Sequence, residues 1–423
     1  MKQYESYKDS GIEWLGEIPS HWTLSKGKHM FRLITDNVTD PALPKVALEN
    51  IESGTGRFIE TDSEFMGEGV EFKENDILLG KLRPYLAKVY KAEFCGQAVG
   101  DIYVFRGNGD QDAEFLKFMM LSHPFISVVD GSTYGAKMPR ANWDFISHMI
   151  LPNPPVAEQR IIASYLDNRV SRIDTVIAEK EKMIEDLQSY RKSVISETVT
   201  RGLNPNVPMK DSGIEWIGMI PKHWDVSKLK TFAEVQTGST PSTSVDRYWE
   251  NPTEEWYTPS DFDDNDIRLK PSSRKLATIA FREDACRVFD ANTVLIVGIG
   301  ATLGKVGISA KPCSANQQIN AVSFREKVLP MFGAYYLYAI KDAMKAAANA
   351  ATLAIMNQST TKDLPFVCPP YEEQRSIVKS IDIKTSKIAN GIFDLQSQIE
   401  DLKSYKSSLI TEAVTGKIDL RNE

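Results

Sequence analysis

A glycine-rich stretch of the sequence contains the residue types of a phosphate-binding loop. This stretch is GIGATLGKVG (298–307), in which Ile299 stands where such a loop needs its first glycine and Val306 where it needs serine or threonine. A dinucleotide-binding loop would need a third glycine in place of Leu303. We therefore predict that these glycines form tight turns or allow another molecule to approach the backbone closely.

The other candidates for chemistry also lack the required geometry. The acidic stretch DFDDND (261–266) has no glycine at its sixth position, and Ser272 occupies the twelfth position, where a calcium loop has glutamate. The tetrapeptide NPPV (153–156) is similar to the one with which adenine methyltransferases hold the target amino group, but it lacks the aromatic fourth residue. Metal-ligand spacing is absent among the five histidines, which are His21, His29, His123, His148 and His223. We predict no catalytic residue, no metal site and no cofactor.

Composition indicates a globular protein of two or three domains. The chain has 423 residues, of which 42% are hydrophobic and 25% charged. No apolar run approaches the roughly 18 to 20 residues of a membrane span, and the four cysteines are widely spaced, so we expect a cytoplasmic protein without membrane contact, disulfides or a zinc ribbon. The formal net charge of -7 argues mildly against nucleic acid, although residues 77–106 are locally basic.

An internal repeat organises the sequence and must position any functional residues. The stretch KDSGIEWLGEIPSHW (8–22) recurs as KDSGIEWIGMIPKHW (210–224) with twelve of fifteen positions identical, and we name each copy the GIEW motif. A second repeated triplet, Glu-Gln-Arg at 158–160 and 373–375, follows a proline-rich stop in each half. The intervening segments, about 23–150 and 225–366, show no comparable identity. One unit is used twice, with its ends retained and its middle replaced.

Long helices are predicted after both proline-rich stops, because proline is tolerated in the first turn of a helix. Apolar residues then follow an alternating four-three spacing at Leu166, Val170, Ile173, Ile177, Ile184, Leu187 and Val194, and at Ile381, Ile388, Ile392, Leu395, Ile399, Leu402 and Leu409. Such heptads predict a coiled-coil seam over 156–201 and 371–415, interrupted by Lys180, Arg191 and Lys406. If the halves are related by a pseudo-two-fold axis, the helices should pack antiparallel. A helix of this length, about 69 Å, would exceed one turn of DNA.

These features together resemble the specificity subunit of type I restriction-modification systems, and the resemblance covers the whole chain. Its carriers are the doubled GIEW motif, the doubled proline stop with Glu-Gln-Arg, and the alternation of repeated and unrepeated segments. Inside the middle segments, NDILLGKLRPYLAKV (75–89) and NTVLIVGIGATLGKVGIS (292–309) with ANQQINAV (315–322) are similar to target-recognition stretches. Each motif is moderately specific, but together and doubled they are strong.

The resemblance implies an α+β fold of two globular, mixed α/β target-recognition domains. Two long helices, packed as an antiparallel coiled coil, would separate the domains, and the chain would have pseudo-two-fold internal symmetry. The expected segments are the first GIEW motif (1–22), target-recognition domain 1 (23–150), the central helix (151–203), a linker with the second GIEW motif (204–224), target-recognition domain 2 (225–366) and the C-terminal helix (367–423).

The resemblance also implies a role without catalysis in an adenine-specific methyltransferase and restriction complex. The chain would read an asymmetric bipartite site in double-stranded DNA, one half-site per domain. It would recruit two methyltransferase subunits and the restriction and translocase subunits. Two copies of one surface independently predict that one partner type binds twice. The alternative is a coiled-coil adaptor that binds only protein, which would suit the acidic net charge.

Candidate DNA contacts are polar residues on glycine-containing loops, because side chains must reach base edges or phosphates. In domain 1 they are Lys81, Arg83, Tyr85, Lys88, Thr133, Tyr134, Lys137 and Arg140. In domain 2 they are Thr302, Lys305, Asn316, Gln317, Gln318, Asn357, Gln358, Thr360 and Lys362. The candidate scaffold and partner-binding residues are Trp14, His21, Trp22, Glu158, Gln159 and Arg160, with their repeats Trp216, His223, Trp224, Glu373, Gln374 and Arg375.

Overall fold

Two compact units make up the chain in a computed structural model that describes residues 2–61, 65, 67–133, 138–348 and 355–422. Unit 1 consists of Met1–Glu181 with Gln396–Glu423, and unit 2 of Lys182–Leu395. The division falls within two long helices, α5 (Val156–Arg201) and α11 (Tyr371–Val414). Each unit therefore contains one globular domain and a segment of each long helix.

Unit 1 begins with the first GIEW motif and continues into a mixed domain. Its strands are β1 (Tyr7–Asp9), β2 (Glu17–Pro19), β3 (Thr23–Lys26), β4 (Phe31–Ile34), β5 (Asn37–Val38), β6 (Lys45–Val46), β7 (Gly69–Phe72), β8 (Ile77–Gly80), β9 (Val89–Lys91), β10 (Gly96–Ala98), β11 (Ile102–Gly107) and β12 (Ile150–Asn153). Its shorter helices are α1 (Gly27–Met30), α2 (Ala113–Leu121), α3 (His123–Gly131) and α4 (Trp143–His148).

Two four-stranded sheets form the domain of unit 1, with strand orders β4-β11-β8-β9 and β5-β7-β10-β6. The central strand β8 has the sequence ILLG and is buried throughout, as expected for a strand covered on both faces. The helix α2 packs on β9. Outside these sheets β1 pairs with β2 inside the GIEW motif, and β12 pairs with β3 where the domain returns to α5.

Unit 2 repeats this sequence of elements. Its strands are β13 (Met209–Asp211), β14 (Met219–Pro221), β15 (Asp225–Lys228), β16 (Ala233–Thr237), β17 (Glu254–Tyr257), β18 (Arg274–Leu276), β19 (Val294–Val297), β20 (Val306–Ile308), β21 (Cys313–Ala315), β22 (Ile319–Phe324) and β23 (Pro365–Cys368). Its shorter helices are α6 (Leu229–Phe232), α7 (Thr278–Arg282), α8 (Pro330–Ala339), α9 (Lys341–Ala347) and α10 (Gln358–Lys362).

The main sheet of unit 2 has the same topology as the main sheet of unit 1. The order β16-β22-β19-β20 corresponds to β4-β11-β8-β9, and a three-stranded sheet β18-β17-β21 replaces the second four-stranded one. The pairs β13-β14 and β15-β23 repeat β1-β2 and β3-β12. The two middle segments, which share little sequence, therefore share an architecture.

Segments of the two long helices pack antiparallel within each unit. In unit 1 Lys406 Nζ donates to Asp174 Oδ1 at 2.8 Å, and Lys180 Nζ donates to Gln398 Oε1 at 2.6 Å, so residue numbers rise on one helix as they fall on the other. In unit 2 the Leu187 side chain lies beside Gly391. All the predicted seam residues are buried or partly buried. The predicted α+β fold with an antiparallel helix pair is confirmed.

Two features that often define function are missing from the described part of the chain. None of its helices is both long and apolar enough to cross a membrane. Nor does the same part contain a group of three or more His, Cys, Asp or Glu residues that could hold a metal ion.

Candidate nucleic-acid interface

Two loops that were predicted separately in domain 1 lie side by side. We name residues 81–88, which connect β8 to β9, the β8–β9 turn. Leu82 forms a β-bridge with Arg140, Arg83 N donates to Pro139 O at 2.9 Å, and Ala141 N donates to Lys81 O at 2.8 Å. The turn and residues 138–142 therefore form one continuous surface, held by backbone hydrogen bonds.

The corresponding loops of domain 2 meet in the same way. Residues 298–305 connect β19 to β20, and we name them the β19–β20 turn. Ile299 forms a β-bridge with Ile355, and Gly298 N donates to Gln318 O while Gly298 O accepts from Met356 N, both at 2.8 Å. The turn thus lies against residues 316–318 and 355–357, which include four of the predicted candidates.

The two turns are versions of one structure. Since Leu82 and Ile299 make the equivalent β-bridges, GKLRPYLAKV (80–89) aligns without gaps with VGIGATLGKV (297–306), and a leucine, a lysine and a valine are identical. Both turns also contain two residues with left-handed backbone, at φ 52° and 47° in the first and 72° and 80° in the second. The prediction that the glycines of 298–307 form a tight turn agrees with this geometry.

The lysine shared by the turns makes internal contacts in both domains. Lys88 Nζ donates to the backbone oxygens of Leu48 and Ile51 at 2.6 and 2.8 Å. Lys305 Nζ donates to Phe262 O at 3.1 Å and lies 3.6 Å from Asp264. Both are predicted DNA contacts, and in the structure their ammonium groups tie each turn to a neighbouring loop.

Charged side chains surround the turn of domain 1. Arg140 pairs with Asp101 at 3.0 Å, and Lys81 Nζ lies 4.6 Å from the centre of the Tyr103 ring. Burial lowers the pKa of Lys81, and the positive charge of Arg140 acts in the same direction, while Asp101 opposes them. Tyr85 is 54% exposed at the tip of the turn. Cations and two aromatic rings thus dominate this surface, which suits phosphate and guanine contacts.

Amides and hydroxyls take the place of these charges in domain 2. Gln317 and Gln318 are exposed, and Thr240 donates to Gln317 Oε1 at 2.6 Å. Asn316 Nδ2 donates to Gln318 Oε1 at 3.0 Å, and Thr302 is half-buried in the turn. Amide side chains can both donate to and accept from a base edge. The two domains therefore present different chemistry on the same framework.

Several other predicted contacts have local structural roles. Asn357 caps α10 by accepting from Thr360 N, and Gln358 Nε2 donates to Val235 O at 2.6 Å. Thr133 donates to Asp130 O at the end of α3, and Lys362 is half-buried. Tyr134 and Lys137 lie outside the described residues.

Sequence reasoning missed the residues that join the two loops of each domain. Tyr103 OH donates to Ala141 O at 3.1 Å, and the equivalent Asn320 Nδ2 donates to Met356 O at 2.8 Å and to Thr361 Oγ1 at 2.9 Å. Both sit at the start of the strand next to the turn, in β11 and β22. The hydrophobic pattern of these strands does not single out Tyr103 or Asn320. The aligned turns provide the sequence signal for these two residues.

The repeated scaffold residues bind one another in both units. His21 and His223 each lie 2.8 Å from a carboxylate oxygen, of Glu158 and Glu373 respectively. Lys8 and Lys210 donate to the backbone oxygens of Trp22 and Trp224, both of which are fully buried. The GIEW motif is thus fastened to the first turn of each long helix by the same hydrogen bonds.

The repeated glutamines close the proline-rich stops. Gln159 Nε2 donates to Pro154 O at 2.9 Å, and its Oε1 accepts from Asp112 N at 3.0 Å. Gln374 makes the same two bonds with Pro369 O and Leu329 N. Both side chains are completely buried. They therefore hold the start of each long helix against the domain and are not available to a partner.

Copy 1 of the scaffold has additional contacts that join Tyr4, Trp22, Glu158 and Arg421, and we name this group the clasp around Tyr4. Tyr4 OH and Trp22 Nε1 both donate to Glu158 Oε1, the latter at 3.1 Å, and the Arg421 guanidinium lies 5.1 Å from the centre of the Tyr4 ring. Burial, together with the Glu158 carboxylate, raises the pKa of Tyr4, which keeps its hydroxyl protonated and able to donate. In copy 2, no described residue accepts from Trp224 Nε1.

A second group of repeated residues faces solvent. Trp216 is 44% exposed and Trp14 is half-buried. Arg160 and Arg375 are exposed at the start of each long helix, and Arg375 lies 3.3 Å from Glu372. The predicted scaffold and partner set thus divides into a buried part, which builds the repeat, and an exposed part, which is available for contact.

Known proteins with similar sequences are subunits of restriction enzymes. Residues 221–400 match the family model of the type I restriction modification DNA specificity domain. The type I restriction enzyme MjaIX specificity subunit of Methanocaldococcus jannaschii is 32% identical over 178 residues, which cover 41% of this chain and 40% of that protein. The putative MjaX specificity subunit of the same organism is 23% identical over 99% of this chain and 97% of its own length.

Solved structures show the same fold. A chain from a study of complex assembly and conformational transition in a type I restriction-modification system has a TM-score of 0.74 at 17% identity, covering 95% of this chain and 99% of that chain. The HsdS subunit from Thermoanaerobacter tengcongensis has a TM-score of 0.53 at 18% identity, covering 95% and 98%.

The class defined by this fold and these comparisons is the DNA-recognition component of a restriction-modification system. Residues 221–400 match the DNA specificity domain of the type I family, and the chain is similar to type I specificity subunits over nearly its whole length. Specificity subunits are not catalytic, so the prediction of a chain that is not itself an enzyme is confirmed by the family.

Proposed function

We propose that the chain reads an asymmetric, bipartite site in double-stranded DNA, with one half-site read by each domain. The observation that carries this proposal is the duplicated surface around the β8–β9 and β19–β20 turns. The framework is equivalent in the two domains, whereas the side chains on it are cationic in domain 1 and mainly amides in domain 2. Because different side chains select different bases, the two half-sites should differ in sequence.

The scaffold would recruit two methyltransferase subunits, and restriction and translocase subunits would join the resulting complex. Support comes from the GIEW motif and its Glu-Gln-Arg partner, which form the same hydrogen bonds in both units. Two equivalent surfaces in one chain offer two equivalent docking sites to one type of partner. Their exposed members, Trp14 with Trp216 and Arg160 with Arg375, are the proposed contacts.

Methylation mapping in cells that carry the complete system tests the reading of DNA. The wild-type complex should modify a single bipartite motif. Arg140→Ala should relax only one half of this motif and Gln317→Ala only the other, because each residue belongs to one reading surface. Each lost base contact should reduce discrimination by about 1 to 3 kcal/mol.

Two outcomes of that mapping would contradict the proposal. If both substitutions altered the same half-site, the domains would not read separate halves. If the assembled complex bound all DNA equally, the chain would act as a protein-binding adaptor instead. Lys180→Ala, in the long-helix pair and outside both reading surfaces, serves as the control and should leave the motif unchanged.

Native mass spectrometry of the complex tests the recruitment of partners. The wild-type chain should carry two methyltransferase subunits. Trp216→Ala should weaken the binding of one methyltransferase subunit by about 2 kcal/mol. An exposed tryptophan at the centre of an interface is a typical binding hot spot. The control is Phe393→Ala, because Phe393 is 69% exposed but lies outside the repeated motif. Equal occupancy in both variants would remove Trp216 from the interface.

A further inference from the structure

Arg83 has a backbone conformation that arginine rarely adopts. Its φ of 52° and ψ of 67° place it in the left-handed region, directly before the helical turn Pro84–Leu86. A side chain other than glycine is disfavoured in this region because its Cβ crowds the backbone. Such residues are held by the surrounding structure, and they concentrate at functional sites.

The equivalent position in domain 2 is a glycine. Gly300 has a φ of 72°, and the second left-handed position of each turn is Ala87 in domain 1 and Gly304 in domain 2. Glycine adopts these angles without strain, so the turn itself requires no side chain at either position. The arginine is therefore not needed to build the turn.

The surrounding structure fixes the backbone of Arg83. Its N–H donates to Pro139 O at 2.9 Å, and its carbonyl accepts from Leu86 N at 2.9 Å. The neighbouring Leu82 is bridged to Arg140, and Lys88 fastens the far end of the turn to another loop. Few conformations of the turn are compatible with these bonds, so the arginine side chain leaves the surface in a defined direction.

Arg83 is also free to bind a ligand. It is exposed, and within the described ranges nothing forms a hydrogen bond or ion pair with its guanidinium. The neighbouring cations are engaged: Arg140 pairs with Asp101, Lys81 lies over Tyr103, and Lys88 donates to backbone oxygens.

The geometry points to Arg83 as a specificity-determining residue of domain 1, with a guanine of the first half-site as its ligand. The planar guanidinium forms two parallel hydrogen bonds to O6 and N7 of guanine, which is the most common specific contact in the major groove. This inference rests on the proposed function, and it adds the residue and the base that it reads. Domain 2, with Gly300 at this position, has no such contact.

The test replaces Arg83 with the residue that domain 2 has. In cells with the complete system, methylation mapping of Arg83→Gly should show one G·C position of one half-site becoming degenerate while the other half-site is unchanged. Purified complex should lose discrimination at that position on the order of 10- to 100-fold. Glycine suits the backbone angles, so the variant should fold with a Tm at or above that of the wild type.

Two further variants separate the side chain from the backbone. Asn251→Gly changes a residue with the same left-handed backbone, at φ 49° and outside both reading turns, and should leave the whole motif intact. Arg83→Lys keeps the charge but loses the bidentate geometry, and it should relax the same G·C position.

The inference is overturned if Arg83→Gly keeps full discrimination. It is also overturned if the variant weakens binding equally on all sequences with a shallower salt dependence, because that result describes a phosphate contact. These outcomes leave the proposed function intact. In contrast, a wild-type complex with no bipartite motif would refute the proposed function and this inference with it.

Discussion

Asp174→Ala should destabilise unit 1 by about 3 to 5 kcal/mol, the range typical of a broken buried ion pair. The Asp174 carboxylate lies in the seam between the long helices, 2.8 Å from Lys406 Nζ and 3.0 Å from the Arg57 guanidinium. The side chains of Asp174 and Lys406 are only 8% and 10% exposed. Removing the carboxylate would leave the lysine charge buried without compensation, and urea denaturation of the full chain would measure the loss.

Two companion variants identify the cause. Asp174→Ala combined with Lys406→Met should regain most of the lost free energy of unfolding, because an apolar pair can replace a buried ion pair at little cost. Lys180→Ala removes an exposed hydrogen bond from the same helix pair and should change stability by less than about 0.5 kcal/mol. If the free energy of unfolding of Asp174→Ala stayed within about 1 kcal/mol of the wild type, the Asp174–Lys406 pair would contribute little to the alignment of the helices.

The repeat shows why this pair is specific to unit 1. Lys406 corresponds to Arg191, but the counterpart of Asp174 is Ala389. Arg191 accordingly has a buried Nε for which no described residue is an acceptor. The charged interruptions of the seam are therefore unequal: Lys406 pairs with a buried carboxylate, whereas Arg191 Nε has no acceptor among the described residues.

The long helices and the repeated ends were predictable because local patterns determine them. Heptad spacing specifies a seam, and proline at the stops limits where α5 and α11 begin. In contrast, the shared topology of the middle segments depends on pairing between distant strands, such as β4 with β11 and β16 with β22. Alternating hydrophobic residues are compatible with many such pairings.

The candidate interface was predictable at the level of segments but not of individual residues. The glycines of the β19–β20 turn indicated left-handed backbone, whereas Arg83 and Ala87 adopt the same angles without any such signal. Lys88 resembled a DNA contact because its type and loop position were appropriate. Its partners within the chain, the backbone oxygens of Leu48 and Ile51, are distant in sequence and have no recognisable sequence pattern.

Glu158→Ala should lower the free energy of unfolding of unit 1 by about 3 kcal/mol. The repeat-related Glu373→Ala should lower that of unit 2 by less than about 1 kcal/mol. Glu158 accepts hydrogen bonds from Tyr4 OH and Trp22 Nε1, and both donors would be left buried without an acceptor. Among the described residues, Glu373 forms a side-chain hydrogen bond only with the half-exposed His223, since Trp224 Nε1 is already unpaired.

Hydrogen exchange can localise the difference, because the clasp around Tyr4 joins two separate parts of unit 1. Asp419 N donates to Lys2 O at 2.9 Å, and Arg421 lies over the Tyr4 ring. Glu158→Ala should therefore increase exchange at both 2–8 and 417–421, while Glu373→Ala should leave these segments protected. Equal destabilisation by the two substitutions would mean that the shared histidine contact, and not the clasp, carries the stability. The expected inequality would show that one repeated scaffold is reinforced in unit 1 by residues that unit 2 lacks.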